Sequence, residues 1–195
     1  MLIINTPDAF LIRIDPSYTK DEAHLAPDIL NQLKSIAEQT QIHPSRIALF
    51  TGPSGTGKTL AASWLATRLG LSLYRVDLAA VVSKYIGETE KNLAKILDSA
   101  EEQNVILLFD EADSLFGKRT EVKDAHDRYA NLDTSYLLQR IEAYPGLVIL
   151  ISNLRTNFDD TVVCRVTWKI EFPITDSEKR LSFWQRILAW LGIQK

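Results

Sequence analysis

The sequence predicts an α/β fold in which a parallel sheet carries helices on both faces, giving three layers. Strand-like runs alternate with helical runs along most of the 195 residues, and this alternation is typical of parallel sheets. The predicted strands are apolar at nearly every position, as in 105–109, which indicates central strands covered on both sides. The length suits one domain with its own hydrophobic core.

The elements follow one another regularly from residue 25 onward. Residues 25–39 have apolar side chains at helical spacing, with Pro27 in the opening turn, so a helix is predicted there. The predicted strands are 47–50, 73–76, 105–109, 147–151 and 168–172, and the predicted helices are 58–69, 90–102, 130–143 and 177–191. We expect an irregular N-terminal segment over 1–24, a main domain over 25–176 and a C-terminal helix within 177–195.

Composition narrows the classes of function. Cys164 is the only cysteine, which excludes an internal disulfide and a cysteine-cluster metal site. The net charge of −3 gives no general attraction to nucleic acid, so a nucleic-acid partner is not favoured. The apolar runs are too short to cross a bilayer, and the N-terminus lacks the pattern of a secretory signal. We therefore expect a cytoplasmic protein with no membrane partner.

A glycine-rich motif stands between the first predicted strand of the main domain and the helix that follows it. The sequence GPSGTGKT from Gly52 to Thr59 matches the phosphate-binding pattern G-x-x-x-x-G-K-[ST], known as Walker A. Its glycines let successive backbone N–H groups form a nest around phosphate oxygens.

Lys58 is expected to reach the β- and γ-phosphates and the Thr59 hydroxyl to bind Mg²⁺. The alternative is a glycine-rich turn. The predicted nucleotide-binding residues are Gly52, Pro53, Ser54, Gly55, Thr56, Gly57, Lys58, Thr59 and Leu60, together with Asp110.

Two consecutive acids, Asp110 and Glu111, end the apolar strand 105–109. Ligands of open α/β sheets bind at the carboxyl ends of the strands, where these acids are expected to lie. Asp110 is predicted to hold Mg²⁺, and Glu111 to orient and deprotonate the attacking water. The alternative is a solvated turn. A water-activating glutamate argues against a small-molecule kinase, which passes its phosphoryl group to a bound acceptor.

Two further polar features follow. Asn153 comes after the strand 147–151 and is predicted to reach the attacking water or the γ-phosphate, although asparagine is also a common turn former. Residues 117–128 are densely charged and are predicted to form a mobile loop, with a solvated surface as the alternative.

Together these motifs resemble the AAA family within the AAA+ P-loop ATPases, of the prokaryotic type. Four stretches carry the resemblance: GPSGTGKT from Gly52, KYIGETEKNL from Lys84, LLFDEAD from Leu107 and LVILISN from Leu147. The resemblance implies the strand order 5-1-4-3-2, with ATP and Mg²⁺ as ligands and ATP hydrolysis as the activity. It also implies a ring-like homo-oligomer, hexameric when complete, that acts on a protein substrate.

The second of these stretches resembles the loop that family members point into a central pore. The residues Lys84, Tyr85, Ile86 and Gly87 are by this resemblance a substrate-gripping loop, and residues 117–128 fall where a second pore loop would be. The alternative is that Tyr85 and Ile86 only cover the start of the next helix.

Two departures from the family pattern concern the end of the chain. Of the arginines that reach the γ-phosphate of a neighbouring subunit only Arg165 matches, with Cys164 and Thr167 in nearby positions. The helical lid of the family is represented only by the predicted helix 177–191, whose broad apolar surface should be covered.

Three functions remain open from the sequence. The leading interpretation is an ATP-driven remodelling motor with a protein substrate. The second is a slowly hydrolysing, nucleotide-dependent scaffold, because the arginine set and lid are incomplete. A nucleic-acid motor is the third, and the acidic balance disfavours it.

Overall fold

The computed structural model describes residues 10–15, 25–40, 46–77, 88–116, 136–153, 158 and 160–173. The strands are β1 (Leu11–Ile14), β2 (Ile47–Thr51), β3 (Leu73–Val76), β4 (Ile106–Phe109), β5 (Val148–Ser152) and β6 (Trp168–Glu171). The helices are α1 (Pro27–Gln39), α2 (Lys58–Leu69), α3 (Glu88–Gln103), α4 (Asp113–Phe116), α5 (residues 136–143 of the described part) and α6 (Asp160–Val163). The predicted helix 177–191 lies outside the described residues.

The strands form one six-stranded sheet in the order β1-β3-β4-β5-β2-β6. The four pairs from β3 to β6 are parallel, and β1 is antiparallel to β3. If β2 to β6 are numbered 1 to 5, their order is 5-1-4-3-2, so the predicted strand order is confirmed. The three central strands β4, β5 and β2 are buried along their whole length, as their apolar sequences predicted.

The strand β1 corrects one expectation, because residues 11–14 fall within the segment predicted to be irregular. Leu11 pairs with Val76 and Ile14 with Leu73, and the Asp77 N–H donates to the Phe10 carbonyl over 2.9 Å. β1 is only four residues long, and Ile12 remains 43% exposed. A stretch this short is extended because the open edge of β3 offers hydrogen-bond partners, and no periodicity in its own sequence indicates that edge.

The core lies on both faces of the sheet, as the sequence predicted. Along β4, Ile106 and Leu108 join a cluster with the buried side chains of α1 and α2. Leu107 and Phe109 face the other way and join a cluster with α3 and α5. Because strand side chains alternate between faces, a wholly apolar strand supplies both clusters. Among the described helices, none is long and apolar enough to cross a membrane.

Candidate functional site

A cleft of about 340 Å³ opens at the carboxyl edge of the sheet, where β2, β4 and β5 end side by side. Three separate segments reach it: the glycine-rich loop after β2, the acidic pair after β4 and the asparagine after β5. The lining residues are Ser54, Gly55, Gly57, Lys58, Thr59, Leu60, Asp110, Glu111, Ile151 and Asn153. Nine of these ten were predicted as site residues from the sequence, and the parallel strand order places them around one space.

The loop begins at Gly52, where two structural conditions require glycine. Its φ is 147°, a value that residues with a side chain rarely adopt. A Cβ at this position would lie 2.3 Å from the carbonyl oxygen of Phe172, just beyond β6. That oxygen is held in place, because the Phe172 N–H donates to the Thr51 carbonyl over 2.7 Å. Gly52 therefore lets the first turn of the loop pass against the end of β6.

The loop ends in a left-handed turn that opens helix α2. Gly55 and Gly57 have φ values of 84° and 90°, and Gly57 is the N-cap of α2 without a side-chain cap. The first N–H groups of a helix lack partners within it, and together with the helix dipole they attract anions. Because Gly57 and Lys58 line the cleft, the open end of α2 is directed toward it. This arrangement suits a phosphate group.

Lys58 is only 5% exposed, and its ammonium group is held inside the loop. Its Nζ donates to the carbonyl of Gly52 over 2.7 Å and to that of Pro53 over 2.6 Å. The Thr56 hydroxyl also donates to the Pro53 carbonyl, over 2.9 Å. Lys58 therefore stabilises the curved loop as well as lining the cleft. Phosphate oxygens that approach this ammonium compete with two backbone carbonyls.

The turn after β4 is tight and places both acids at the cleft. Asp110 Oδ1 accepts the backbone N–H of Glu111 over 3.0 Å, and Glu111 has a left-handed φ of 52°. The next residue, Ala112, donates its N–H to the Ile151 carbonyl over 2.9 Å, which ties the turn to β5. A left-handed residue other than glycine costs roughly 1–2 kcal/mol, and this strain is maintained by the bonds on either side. Glu111 is exposed and Asp110 half-buried, so both carboxylates are open to a ligand.

A family model described as "ATPase family associated with various cellular activities (AAA)" matches residues 48–174, which include every segment of the cleft. The chain belongs to the AAA family of ATPases. The resemblance stated from the motifs is therefore confirmed.

Relatives of this AAA ATPase occur in bacteria and eukaryotes. It is 32% identical over 173 residues to "Uncharacterized AAA family ATPase y4kL" of Sinorhizobium fredii, covering 82% of this chain and 52% of the relative. It is 32% identical over 155 residues to spastin of Xenopus laevis, covering 76% of this chain and 26% of spastin. It is 29% identical over 147 residues to the 26S proteasome regulatory subunit 10B homolog A of Arabidopsis thaliana, covering 72% and 37%. The chain thus spans about half or less of these relatives.

The fold is also found in a solved structure, described as that of the E. coli MS115-1 HORMA:CdnC:Trip13 complex. The TM-score is 0.70 with 20% sequence identity, and the match covers 99% of this chain and 80% of the other. At this identity the likeness concerns the fold alone.

The cleft offers oxygen donors that fit a divalent cation bound together with phosphates. Thr59 is exposed and Asp110 half-buried, and both line the cleft. Among the described residues, no group of three or more His, Cys, Asp or Glu side chains forms a self-contained metal site. Mg²⁺ typically takes one or two protein oxygens and fills its remaining positions with water and substrate phosphates. The donor set therefore suits Mg²⁺ that arrives with a nucleotide.

Other predicted site residues lie away from this space or outside the described part. Gly52, Pro53 and Thr56 belong to the loop but do not line the cleft. Arg165 is also absent from the lining and contacts Glu142 and Thr161 instead. The substrate-gripping loop of Lys84, Tyr85, Ile86 and Gly87 and the charged stretch 117–128 lie outside the described residues.

Two residues of the site were not predicted from the sequence. Ile151 lines the cleft although it belongs to a buried strand, and its position next to Ser152 and Asn153 at the strand end is the signal that could have indicated it. Phe172 contributes its backbone to the close approach at Gly52. No sequence signal marks Phe172, because its role depends on which strand lies beside β2.

Proposed function

We propose that this AAA ATPase binds ATP with Mg²⁺ in the cleft at the carboxyl edge of the sheet and hydrolyses it. The observation that carries the proposal is the convergence of Lys58, Glu111 and Asn153 on one space of about 340 Å³. These residues come from three different segments of the chain. A glycine-rich turn at the surface with no binding role would not require an acidic pair and an amide side chain to line the same cleft.

In this proposal the loop and α2 bind the phosphates. Backbone N–H groups of the loop and the open end of α2 receive phosphate oxygens, and Lys58 exchanges its carbonyl partners for the β- and γ-phosphates. Thr59 and Asp110 would hold Mg²⁺, directly or through water. When bound, the ion neutralises charge that develops on the phosphate oxygens.

Hydrolysis depends on the two polar side chains opposite the loop. Glu111 accepts a proton from a water molecule as the water oxygen attacks the γ-phosphorus and the bond to the β–γ bridging oxygen breaks. Asn153 orients this water or the γ-phosphate from the end of β5. The left-handed backbone of Glu111 sets the direction from which its carboxylate enters the cleft.

The activity is proposed to be shared between copies of the chain and to drive remodelling of a protein or protein assembly. Arg165 does not line the cleft of its own subunit. In this proposal it reaches the nucleotide of a neighbouring subunit in a ring-like oligomer, which is hexameric when complete. One similar protein supports a protein substrate by its name, which is that of a proteasome regulatory subunit. Tyr85 and its neighbours are proposed to grip that substrate.

A slowly hydrolysing scaffold is the second candidate function. Two contacts favour it: the Lys58 ammonium is engaged by carbonyls of its own loop, and Arg165 is engaged by Glu142. Both cations would have to leave or share these partners during turnover. A protein that binds ATP and assembles, but turns over slowly, would show this behaviour.

Steady-state ATPase activity measured over a range of protein concentrations separates the two functions. For the motor, activity per subunit rises with concentration, and Arg165→Ala removes the rise without weakening ATP binding. Glu111→Gln retains ATP binding and slows hydrolysis by roughly 10²–10⁴-fold, the usual contribution of a positioned general base. Low activity that is independent of concentration, and equal in wild type and Arg165→Ala, would leave the scaffold.

A further inference from the structure

The guanidinium group of Arg165 is fixed at two points by neighbouring residues. Its Nε lies 3.0 Å from Oε2 of Glu142 in an ion pair, and its Nη1 donates to the carbonyl of Thr161 over 3.2 Å. A guanidinium is planar and rigid, so two contacts at different nitrogens set both its position and the direction of its plane. The orientation of Arg165 therefore depends on Glu142 and on the end of α6.

Both contacts stand on parts of the chain that are anchored in the core. Glu142 follows Ile141 on α5, and Thr161 precedes Val162 on α6; both apolar side chains are 1% exposed and belong to one core cluster. The backbone N–H of Arg165 donates to the Val162 carbonyl over 3.0 Å, which continues the turn of α6. The acceptors of the guanidinium are thus held still by packing that involves neither charge.

The pair itself lies at the surface. The side chain of Arg165 is 34% exposed and that of Glu142 is 42% exposed, and Val163, two residues before Arg165 in the chain, is also 42% exposed. Partly exposed ion pairs contribute little to stability, because water screens the charges. If the pair serves folding alone, its removal should leave both stability and turnover almost unchanged. If the pair orients the arginine, its removal should change turnover.

We propose that Glu142 is the positioning residue of Arg165, holding its guanidinium in the direction that meets the nucleotide of a neighbouring copy. The inference rests on the proposed function, in which Arg165 acts on a second subunit. Glu142 does not touch the nucleotide in this arrangement. It restricts the arginine to one orientation before the neighbour arrives, which lowers the entropy lost when the two subunits form the site.

The test compares Glu142→Gln, which keeps the shape but removes the charge, with Glu142→Asp, which keeps the charge on a shorter stem. Glu102→Gln is the matched control, because it makes the same change at an exposed acid on α3. ATPase activity is measured at high protein concentration together with the KM for ATP, the ATP affinity and the melting temperature. We expect Glu142→Gln to lower kcat by about 10²-fold, the scale of a misplaced catalytic group, with KM, affinity and melting temperature close to wild type.

Glu142→Asp should recover part of this loss and Glu102→Gln should match wild type. Adding Arg165→Ala to Glu142→Gln should slow the enzyme no further than Arg165→Ala alone. If Arg165→Ala is slow but Glu142→Gln has the wild-type kcat, the inference is wrong and the proposed function stands. A higher kcat in Glu142→Gln would overturn it too, since the carboxylate would then restrain the arginine. If Arg165→Ala equals wild type, the role of Arg165 in the neighbouring subunit fails first and the inference fails with it.

Discussion

Replacing Gly52 by alanine tests the close approach between the phosphate loop and the end of β6. The new Cβ would lie 2.3 Å from the Phe172 carbonyl oxygen, and the backbone would still need a φ of 147°. Neither backbone segment can move away easily, because the Phe172 N–H donates to the Thr51 carbonyl and the Gly52 N–H donates to the Ser152 carbonyl. Overpacking against fixed backbone costs about 1–3 kcal/mol, and the forbidden dihedral costs about the same again.

Gly70→Ala is the control, because it places a side chain at a positive φ where no clash arises. Gly70 caps the end of α2 with a φ of 70°, and nothing lies within 4 Å of a Cβ built there. Its alanine variant should lose only about 1 kcal/mol. With about 4 kcal/mol for Gly52→Ala, the melting temperature should fall by about 8–16 °C, compared with about 2–4 °C for Gly70→Ala.

Thermal and denaturant unfolding of the wild type and both variants measures these changes. ATP affinity provides a second readout, which Gly52→Ala should weaken because the loop begins there, and Gly70→Ala should leave unchanged. Melting temperatures within about 2 °C of each other for the two variants would refute the reasoning. The carbonyl of Phe172 would then not lie against the loop.

Three further predictions follow from buried or cleft-lining groups. Lys58→Ala should abolish tight ATP binding and also cost about 1–3 kcal/mol of stability, because the buried Gly52 carbonyl loses its donor. The control variant Lys34→Ala changes an exposed lysine and should have neither effect. A melting temperature of Lys58→Ala equal to that of the wild type would contradict the loop contacts. Asn153→Ala should keep ATP affinity and slow hydrolysis by about 10²-fold, as for the loss of one placed hydrogen-bond donor, so unchanged turnover would remove Asn153 from the mechanism. Burial raises the pKa of Tyr144 from 10.0 to about 12, so its contribution to stability is present below pH 10 and is lost as the pH rises toward 12. Tyr144→Phe should lack this part of the loss in unfolding experiments across that range, and identical pH profiles would show that the hydroxyl is not buried.

The sequence by itself determined the features that arise from short-range chemistry. The glycine-rich loop from Gly52 to Thr59 and the acids Asp110 and Glu111 could be predicted as candidate site residues, because each motif needs particular residue types at fixed, close spacing. The strand at 106–109 could be predicted because burial on both faces of the sheet requires apolar residues at every position. The parallel strand order then followed from the family resemblance, and with it the meeting of the three segments at one cleft.

Only the tertiary structure decided the contacts between residues far apart in the chain. The strand β1 exists because β3 has an open edge, and the need for glycine at position 52 comes from Phe172, just beyond the neighbouring strand β6. The contacts of Arg165 with Glu142 and Thr161 depend in the same way on how α5 and α6 pack against the core. Such contacts produce no periodic pattern in the sequence, because each joins two residues that are far apart in the chain. The energy of each contact is set by the geometry of the helices and strands that carry the two residues.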